Sequence, residues 1–476
     1  MRSIATVLSV VSLAAASPAI SQSWSSAPWV ADLAQAHQAF ETRYANLDWL
    51  EHDRGLDLNG LFNRAFDRLQ AAQSDEEARK IIERLVERIG DGHVAIEWRR
   101  LTPHHQKVDV PQASKHDACG KLGFDESRSS PGITMALPGY RAVGDPSLFP
   151  SGIVPVKNRQ IGVIRISGFE PQGRLSVCHA AFKALQYPRD QPCDDKCQDS
   201  IFAWSYDRFT RALEEQVRAL RASGATVLLI DITDNGGGTE WAEAAARIVS
   251  PKPLTSEARG FVRGTHWMSQ WAELHAQLVA AAASAKGQDR NRLLQWADTA
   301  AQYCKEAERS CVAGQVCDLV ARGGYATGLV GNARAGEFAG KVWADLVFGI
   351  AQFPYHDSVW SGPLVVLVDD QTWSAAEQFA AVLQDNGAAV IVGTRTGGAG
   401  CGHTNGGTPT VLKNSRATLE LPDCVRFRAD GSNEVAGIIP DVLTGMRATD
   451  GQATKAKLIA KHLTQAIDMA SNQRED

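Results

Sequence analysis

Ser374 lies in a segment whose pattern suits an acyl-transfer nucleophile. The apolar strand pattern of Leu364–Val368 ends in a short turn, and a helical pattern begins at or just after Ser374. A hydroxyl there lies beside the free N–H groups and the positive dipole of a helix N-terminus, which favour the negative charge of an oxyanion. By itself, a simple helix N-cap is the better interpretation of Ser374, because serine is among the commonest caps.

A glycine-rich turn supplies candidate oxyanion donors. Residues 227–232 are almost wholly apolar, as expected of a strand buried on both faces, and Asn235 then precedes Gly236, Gly237 and Gly238. Consecutive glycines allow backbone N–H groups to converge on an anion. The spacing is not that of a dinucleotide-binding fingerprint. A tight turn before a helix is an equally good interpretation of the same residues.

Three further residues are candidates for proton transfer or for its support. His93 follows Gly92 at the junction of a predicted helix and a predicted strand, and an imidazole is suited to accept a hydroxyl proton near neutrality. His403 is a rival base, since it lies nearer to Ser374 in the sequence. Glu434 could orient a base or a water molecule, although by itself it is an ordinary loop carboxylate.

The elements that must position these residues alternate between strand and helix. Residues 364–368, 374–383 and 390–392 repeat the strand–helix order of residues 227–232 and 240–249. This alternation predicts an α/β core.

Five regions are expected along the chain. Residues 1–21 form a signal peptide and residues 22–92 an N-terminal helical region. Residues 93–259 form the first part of the core, with a loop-rich stretch and a cysteine-bearing insertion. Residues 260–355 form an Ala-rich helical insertion, and residues 356–476 complete the core with the nucleophile and a C-terminal helix.

Composition and the N-terminus limit the function classes. The chain has 476 residues and a net charge of -5, with no basic stripe, so nucleic acid is not an expected partner. Arg2, an apolar run over residues 4–16 and small residues near Ala19 and Ser21 predict a cleaved signal peptide and hence an exported, periplasmic or secreted protein. An uncleaved anchor is the alternative. No second run is long enough to span a bilayer, so no membrane span is expected in the mature protein.

Export makes the nine cysteines informative, because most should pair in an oxidising compartment and an odd number leaves one over. Pairing cannot be read from sequence. The favoured pairs are Cys193 with Cys197 or Cys178, two of the trio Cys304, Cys311 and Cys317, and Cys401 with Cys424. A zinc site at Cys193, Cys197 and Cys178 is a weaker alternative because the paired C-x-x-C spacing is missing.

Taken together, these segments resemble the tail-specific, or C-terminal processing, serine peptidases, including their tricorn-like and retinoid-binding-protein-like branch. The similar stretches are the 227–238 strand and turn, the Ser-Ala-Ala-Glu segment from Ser374, the turn at 392–398, the Gly-x-x-Pro-Asp sequence at 437–441 and the Asp-Gly-His sequence ending at His93.

The resemblance implies a crotonase/ClpP-like core of strand–strand–helix units. It implies Ser374 as nucleophile, with the backbone N–H of Ala375 and of Gly237 or Gly238 as the oxyanion hole. The processing branch has a lysine base where this chain has Ala399, so a Ser/Lys dyad is not expected.

The tricorn-like branch has a histidine where this chain has His93 and a glutamate where it has Glu434, which implies a Ser374–His93 pair supported by Glu434. That branch also has a serine where this chain has Gly92, so the orientation of the histidine needs another group, for which Asp91 is a candidate.

These features predict an exported serine endopeptidase or carboxy-terminal processing peptidase with a polypeptide substrate. No cofactor or metal is implied, and an oligomer is left open. The alternatives are a non-catalytic peptide- or ligand-binding protein on the same fold, a crotonase-type enzyme acting on acyl-CoA, and a cysteine nucleophile at Cys401.

Overall fold

The computed structural model describes residues 24–98, 118–126, 131–188, 192–314, 317–334 and 336–473, so the predicted signal peptide lies outside the described residues. The helices are α1 (Ala27–Arg43), α2 (Leu58–Ala71), α3 (Asp75–Ile89), α4 (Ala118–Lys121), α5 (Leu175–Ala184), α6 (Asp195–Ala222), α7 (Trp241–Val249), α8 (Thr265–Ser284), α9 (Gly287–Ala307), α10 (Ala344–Val347), α11 (Ala375–Asp385) and α12 (Gln452–Asn472).

The strands are short and fall into three sheets. They are β1 (Ala95–Glu97), β2 (Arg141–Ala142), β3 (Ser151–Val156), β4 (Arg159–Arg165), β5 (Val227–Asp231), β6 (Ala258–Val262), β7 (Val320–Tyr325), β8 (Leu364–Val368), β9 (Val390–Gly393), β10 (Thr410–Val411), β11 (Thr418–Glu420), β12 (Cys424–Phe427) and β13 (Val442–Leu443).

The main sheet has seven strands in the order β13-β9-β8-β5-β4-β3-β2. Within this sheet, neighbouring strands among β4, β5, β8, β9 and β13 pair in parallel, whereas β2 with β3 and β3 with β4 pair antiparallel. The apolar runs of β5 and β8 are fully buried, as expected for central parallel strands. Helices α7 and α11 pack together in the core on one face, and α12 covers the other. The predicted α/β core is therefore confirmed.

The N-terminal helices end at the candidate base. Ser74 caps α3 by accepting a hydrogen bond from Glu77 N at 3.2 Å, and the helix stops at Gly90, whose φ of 65° is left-handed. The next three residues lead through His93 into β1, which pairs with β11 in a separate small sheet. The predicted placement of His93 between helix and strand is thus observed.

The region 260–355, expected to be a helical insertion, is not helical throughout. Helices α8 and α9 form an antiparallel pair, but β7 follows and joins a three-stranded sheet in the order β12-β6-β7. Strand β7 contains Gly323 and Gly324, and glycine is depleted in strands, so the local sequence concealed it.

All nine cysteines lie in the described residues, and eight of them form disulfides: Cys119–Cys178, Cys193–Cys197, Cys311–Cys317 and Cys401–Cys424. Cys304 is free. The alternative pair of Cys193 with Cys178 is wrong, because Cys178 bonds to Cys119. The zinc alternative also fails, since its three thiols are all consumed in disulfides.

Candidate active site

The backbone at Ser374 is strained. Ser374 lies between the end of β8 and the first residue of α11, with φ 55° and ψ -119°. A non-glycine residue pays for such a conformation, and strain of this kind is concentrated at functional sites. A sharp strand-to-helix turn also exposes the hydroxyl of the nucleophilic serine in α/β-hydrolases. The conformation therefore favours a functional role for Ser374 beyond a helix cap.

The structure brings His93 and Ser374 together, although they are 281 residues apart. His93 Nε2 lies 3.1 Å from Ser374 Oγ, and His93 Nδ1 lies 2.7 Å from the carbonyl oxygen of Ala399. A carbonyl can only accept, so Nδ1 carries the proton and Nε2 is the acceptor for the serine hydroxyl. This is the tautomer that a general base needs.

Ala399 thus has a role that its side chain did not suggest. The resemblance places the lysine base of the processing branch at this position. Here the backbone carbonyl of Ala399 fixes the ring of His93 instead. The orienting group is a backbone atom, which no side-chain motif can reveal.

Trp373 explains why Gly92 carries no side chain. A Cβ at Gly92 would overlap the indole of Trp373, and a Cβ at Gly397 would overlap the same ring from another segment. The indole therefore fills the space that a side chain at residue 92 would need. Trp373 and Gly92 act as a complementary pair, which the sequence shows only as two separate residues.

Asp91 supports the backbone of His93 and does not touch its ring. Asp91 Oδ1 accepts from His93 N at 2.9 Å, and Oδ2 accepts from Tyr44 OH at 2.9 Å and from Asn46 Nδ2 at 2.8 Å. Burial raises the pKa of the Asp91 carboxyl, which its hydrogen-bond donors only partly offset. Asp91 links the base to the N-terminal helical region.

The rival base His403 lies beside His93. The two ring centroids are 5.8 Å apart with the rings nearly perpendicular. Burial and then the charge of His93 lower the pKa of His403. Gly402 lies over the ring of His93, since a Cβ there would be 2.9 Å from Nε2. The Cys401–Cys424 disulfide anchors this loop, so Cys401 holds no free thiol for nucleophilic chemistry.

Glu434 lies behind the nucleophile and forms an ion pair with Arg426. Arg426 Nη2 donates to Glu434 Oε1 at 2.8 Å. The same nitrogen donates to the carbonyl oxygens of Ser374 at 3.2 Å and Gly400 at 2.9 Å. The expected support of His93 by Glu434 is therefore indirect. Sequence reasoning did not identify Arg426, because an arginine inside a short strand has no motif of its own.

A second buried carboxylate faces the same guanidinium. Glu257 Oε2 lies 3.6 Å from Arg426 Nε, and neither carboxylate oxygen of Glu257 has a hydrogen-bond partner among the described residues. Burial, and then repulsion by Glu434, raise the pKa of Glu257 well above its usual range. Burial by itself would lower the pKa of Arg426. The attraction of Glu434 and Glu257 is stronger than this effect, so the pKa of Arg426 is raised.

Glu377 joins the nucleophile to the turn that holds the base. Its Oε2 accepts from Ser374 N at 3.0 Å and from Ala399 N at 2.8 Å, while Oε1 accepts from Thr396 Oγ1 at 2.6 Å and Gly398 N at 2.8 Å. Burial, and then repulsion by Glu434, raise the pKa of Glu377 to about 7. Its position three residues after Ser374 is the signal that could have identified it.

The glycine-rich turn lies against the nucleophile. A Cβ at Gly237 would be 2.9 Å from Ser374 Cβ and 3.0 Å from Ala375 N, so only glycine fits. Gly237 N donates to Asn235 Oδ1 at 2.9 Å. Within the described residues, the N–H groups of Gly238 and Ala375 donate to no acceptor. Those two donors are available for an oxyanion, which favours Gly238 over Gly237.

The family model of Peptidase family S41 matches residues 160–444, which is more than half of the chain. The chain therefore belongs to this family of tail-specific peptidases and is a serine-type peptidase. Its fold is similar to that of mature CPAF, with a TM-score of 0.59, 14% identity and coverage of 94% of this chain and 98% of that one. Mature CPAF complexed with lactacystin gives a TM-score of 0.58 at 13% identity, with coverage of 94% and 99%.

Two curated relatives match over a short segment. A protein of Chlamydia trachomatis serovar D is 47% identical over 55 residues, and one of Chlamydia muridarum is 44% identical over 55 residues. Each match covers 11% of this chain and 9% of the relative. The matched segment thus spans about a tenth of those proteins.

None of the helices in the described part of the chain is long and apolar enough to cross a membrane.

Proposed function

We propose that the chain is an exported peptidase that cleaves polypeptides through an acyl-enzyme on Ser374, with His93 as the base. The observation that carries the proposal is the 3.1 Å contact between His93 Nε2 and the hydroxyl of a strained serine. Internal cleavage and carboxy-terminal trimming both proceed through such an acyl-enzyme.

The reaction begins with proton transfer from Ser374 Oγ to His93 Nε2, while Oγ bonds to the substrate carbonyl carbon. The carbonyl π electrons move to oxygen, where Gly238 N and Ala375 N donate to the resulting oxyanion. His93 then gives its proton to the leaving amine as the C–N bond breaks. Water, deprotonated by the same nitrogen, hydrolyses the acyl-enzyme and restores Ser374.

The surrounding groups keep this geometry without taking part in bond changes. Ala399 O holds Nδ1 protonated and stabilises the imidazolium through a hydrogen bond. Arg426 and Glu377 hold the Ser374 backbone at its carbonyl oxygen and its nitrogen. Glu434 is therefore assigned as a positioning residue, acting through Arg426.

Active-site labelling tests the proposal. Purified mature protein is treated with a fluorophosphonate probe beside Ser374→Ala, His93→Ala and the matched control His403→Ala. We expect labelling to vanish in Ser374→Ala, to fall at least a hundredfold in His93→Ala, and to persist in His403→Ala. Equal labelling of Ser374→Ala, or a folded wild type that does not label, would refute the assignment and favour a non-catalytic binding protein.

Export rests on independent features. The N-terminal pattern ending near Ala19 or Ser21 is that of a signal peptide, and four disulfides in one chain are typical of proteins that fold in an oxidising compartment. Mass measurement of the protein recovered from periplasm and medium should find an N-terminus near Ala19 or Ser21. Recovery of the full-length chain with reduced cysteines from the cytoplasm would contradict export.

A further inference from the structure

A large cleft lies between the N-terminal helical region and the sheet of β12, β6 and β7. Its volume is about 960 Å³, which is at the upper end for a ligand-binding cleft. One wall is the segment around Trp49, and the other includes Val312, Gly314 and Cys317, the last of which is bonded to Cys311. Neither His93 nor Ser374 lines it, so the cleft is separate from the candidate active site.

The floor of the cleft is apolar. Leu319 and Val320 come from β7 and the residue before it, and Val425 and Phe427 come from β12. Arg322 also lies on the floor and stacks on Phe427, with its guanidinium carbon 3.9 Å from the ring centroid. Such a floor suits aliphatic side chains of a ligand.

The rim of the cleft is acidic. Glu41, Asp48, Glu51, Asp53 and Asp318 all line it. Arg322 is the single lysine or arginine among the lining residues that the structure describes. The carboxylates come from three separate segments, and the side chains of Asp48 and Asp318 are 92% and 78% exposed. Asp318 pairs with Arg263 at 3.3 Å and Asp48 lies 2.9 Å from His52, whereas no lysine or arginine of the described residues pairs with the other rim carboxylates. A positively charged ligand would meet attraction from several directions.

The cleft is connected to the catalytic groups through two short routes. Val425 and Phe427 face the cleft, and Arg426 between them faces the other side of β12, where it holds the carbonyl oxygen of Ser374. On the rim, Asn433 donates to Asn46 Oδ1 at 2.8 Å. Asn46 donates in turn to Asp91, which supports the backbone of His93.

We propose that this cleft is an exosite that binds a cationic segment of a polypeptide substrate, one in which lysine or arginine alternates with aliphatic residues. The acidic rim takes the cationic side chains and the apolar floor takes the aliphatic ones. The idea that the bound chain is a substrate rests on the proposed peptidase function, whereas the binding itself does not.

Direct binding to the catalytically inactive Ser374→Ala chain tests the site without cleavage. The probe is a fluorescein-labelled peptide, Lys-Leu-Lys-Val-Lys-Leu-Lys, followed by anisotropy at two salt concentrations. The cleft variant adds Asp48→Asn, Glu51→Gln and Asp53→Asn, and we expect its affinity to fall about tenfold. A peptide with glutamate in place of lysine should not bind, and one with serine in place of leucine and valine should bind less tightly than the original.

A matched control separates the cleft from the general negative charge of the protein. Glu87→Gln, Asp199→Asn and Asp298→Asn remove three carboxylates from exposed positions on α3, α6 and α9 that do not line the cleft. We expect this control to bind the peptide like the parent. Equal weakening in both sets, no weakening in the cleft set, or equal binding of the acidic peptide would overturn the exosite.

The outcomes distinguish the exosite from the catalytic proposal. Peptide binding that needs the rim carboxylates, in a protein whose wild type does not label with fluorophosphonate, would retain the site and reject the peptidase mechanism. Labelling at Ser374 without rim-dependent binding would retain the mechanism and reject the exosite.

Discussion

The two sides of Ser374 are held by different kinds of contact. On the side of the base, His93 is fixed by the backbone carbonyl of Ala399 and by Asp91 beneath its own backbone. On the opposite side, Arg426 and Glu434 form a buried ion pair behind the serine carbonyl. The base is thus oriented by a neutral group, and the nucleophile is braced by charges.

This difference has a physical reason. A carboxylate directly on Nδ1 would stabilise the imidazolium strongly, whereas a carbonyl does so with a dipole and leaves the ring in one tautomer. A buried guanidinium, in contrast, must satisfy several donors, and the carbonyl oxygens of Ser374 and Gly400 serve as its acceptors. We therefore expect substitutions on the charged side to cost more stability.

The largest effect is expected for Arg426→Met. The change leaves Glu434 and Glu257 buried without their cation, which should lower the free energy of unfolding by about 3–5 kcal/mol and reduce the labelling of Ser374. Urea denaturation at neutral pH measures the loss. Arg428→Met is the matched control, because Arg428 pairs with Asp385 and does not touch Ser374.

The control should lose only about 1–2 kcal/mol and retain full labelling, since its ion pair is partly exposed. Similar losses of labelling in both variants would show that Arg426 acts through general stability, and the distinction between the two sides would fail.

Glu377→Gln should lower the labelling rate about tenfold. An amide has one acceptor oxygen, so either the pair Ser374 N and Ala399 N or the pair Thr396 Oγ1 and Gly398 N loses its acceptor. Labelling rates at pH 8, where wild-type Glu377 is mostly ionised, give the comparison. An unchanged rate would show that the carboxylate is not needed to position the nucleophile.

Glu377→Gln should also change how the free energy of unfolding depends on pH. Burial raises the pKa of Glu377 to about 7 in the folded protein. The folded protein therefore favours the protonated form of Glu377. The stability that this form contributes is present in full below the pKa of an unfolded glutamate and is lost as pH rises through about 7. The loss is on the order of 3 kcal/mol. Unfolding free energies at pH 5 and pH 8 should differ less in Glu377→Gln than in the wild type; an equal difference would contradict the assignment.

Gly92→Ser is expected to reduce stability by about 1–3 kcal/mol and to lower labelling, because the new side chain meets the indole of Trp373. Thermal unfolding and probe labelling measure the two effects. In a Trp373→Ala background the same serine should cost much less than it does in the wild type. An equal cost in both backgrounds would mean that Trp373 is not what excludes a side chain at Gly92.

The smallest effect on labelling is expected for Asp91→Asn. The amide oxygen keeps an acceptor for His93 N and Ala399 O still holds the ring, so labelling should fall less than threefold. The amide nitrogen cannot accept from Asn46 Nδ2, so stability should fall by about 1–3 kcal/mol. Stopped-flow labelling across pH 6 to 9 tests this. A hundredfold loss would indicate that Asp91 orients the ring, and the base side would then depend on a charge as well.

Much of the secondary structure of the core could be predicted from local sequence patterns. The buried runs of β5 and β8 appear as predicted, and the cap at Ser74 and the left-handed end of α3 at Gly90 also have local causes. Strand β7 was not readable, because two glycines hide its pattern and its partners lie far away in sequence.

The sequence by itself determined the α/β core, the resemblance to tail-specific peptidases and a short set of candidates that included Ser374, His93 and Glu434. Residue type and order along the chain are enough for those inferences. The tertiary structure alone decided the contacts of each candidate: His93 to Ser374 and to a backbone carbonyl, and Glu434 to Arg426. A backbone carbonyl has no sequence signature, and burial decides which charges must pair, so both depend on the folded chain.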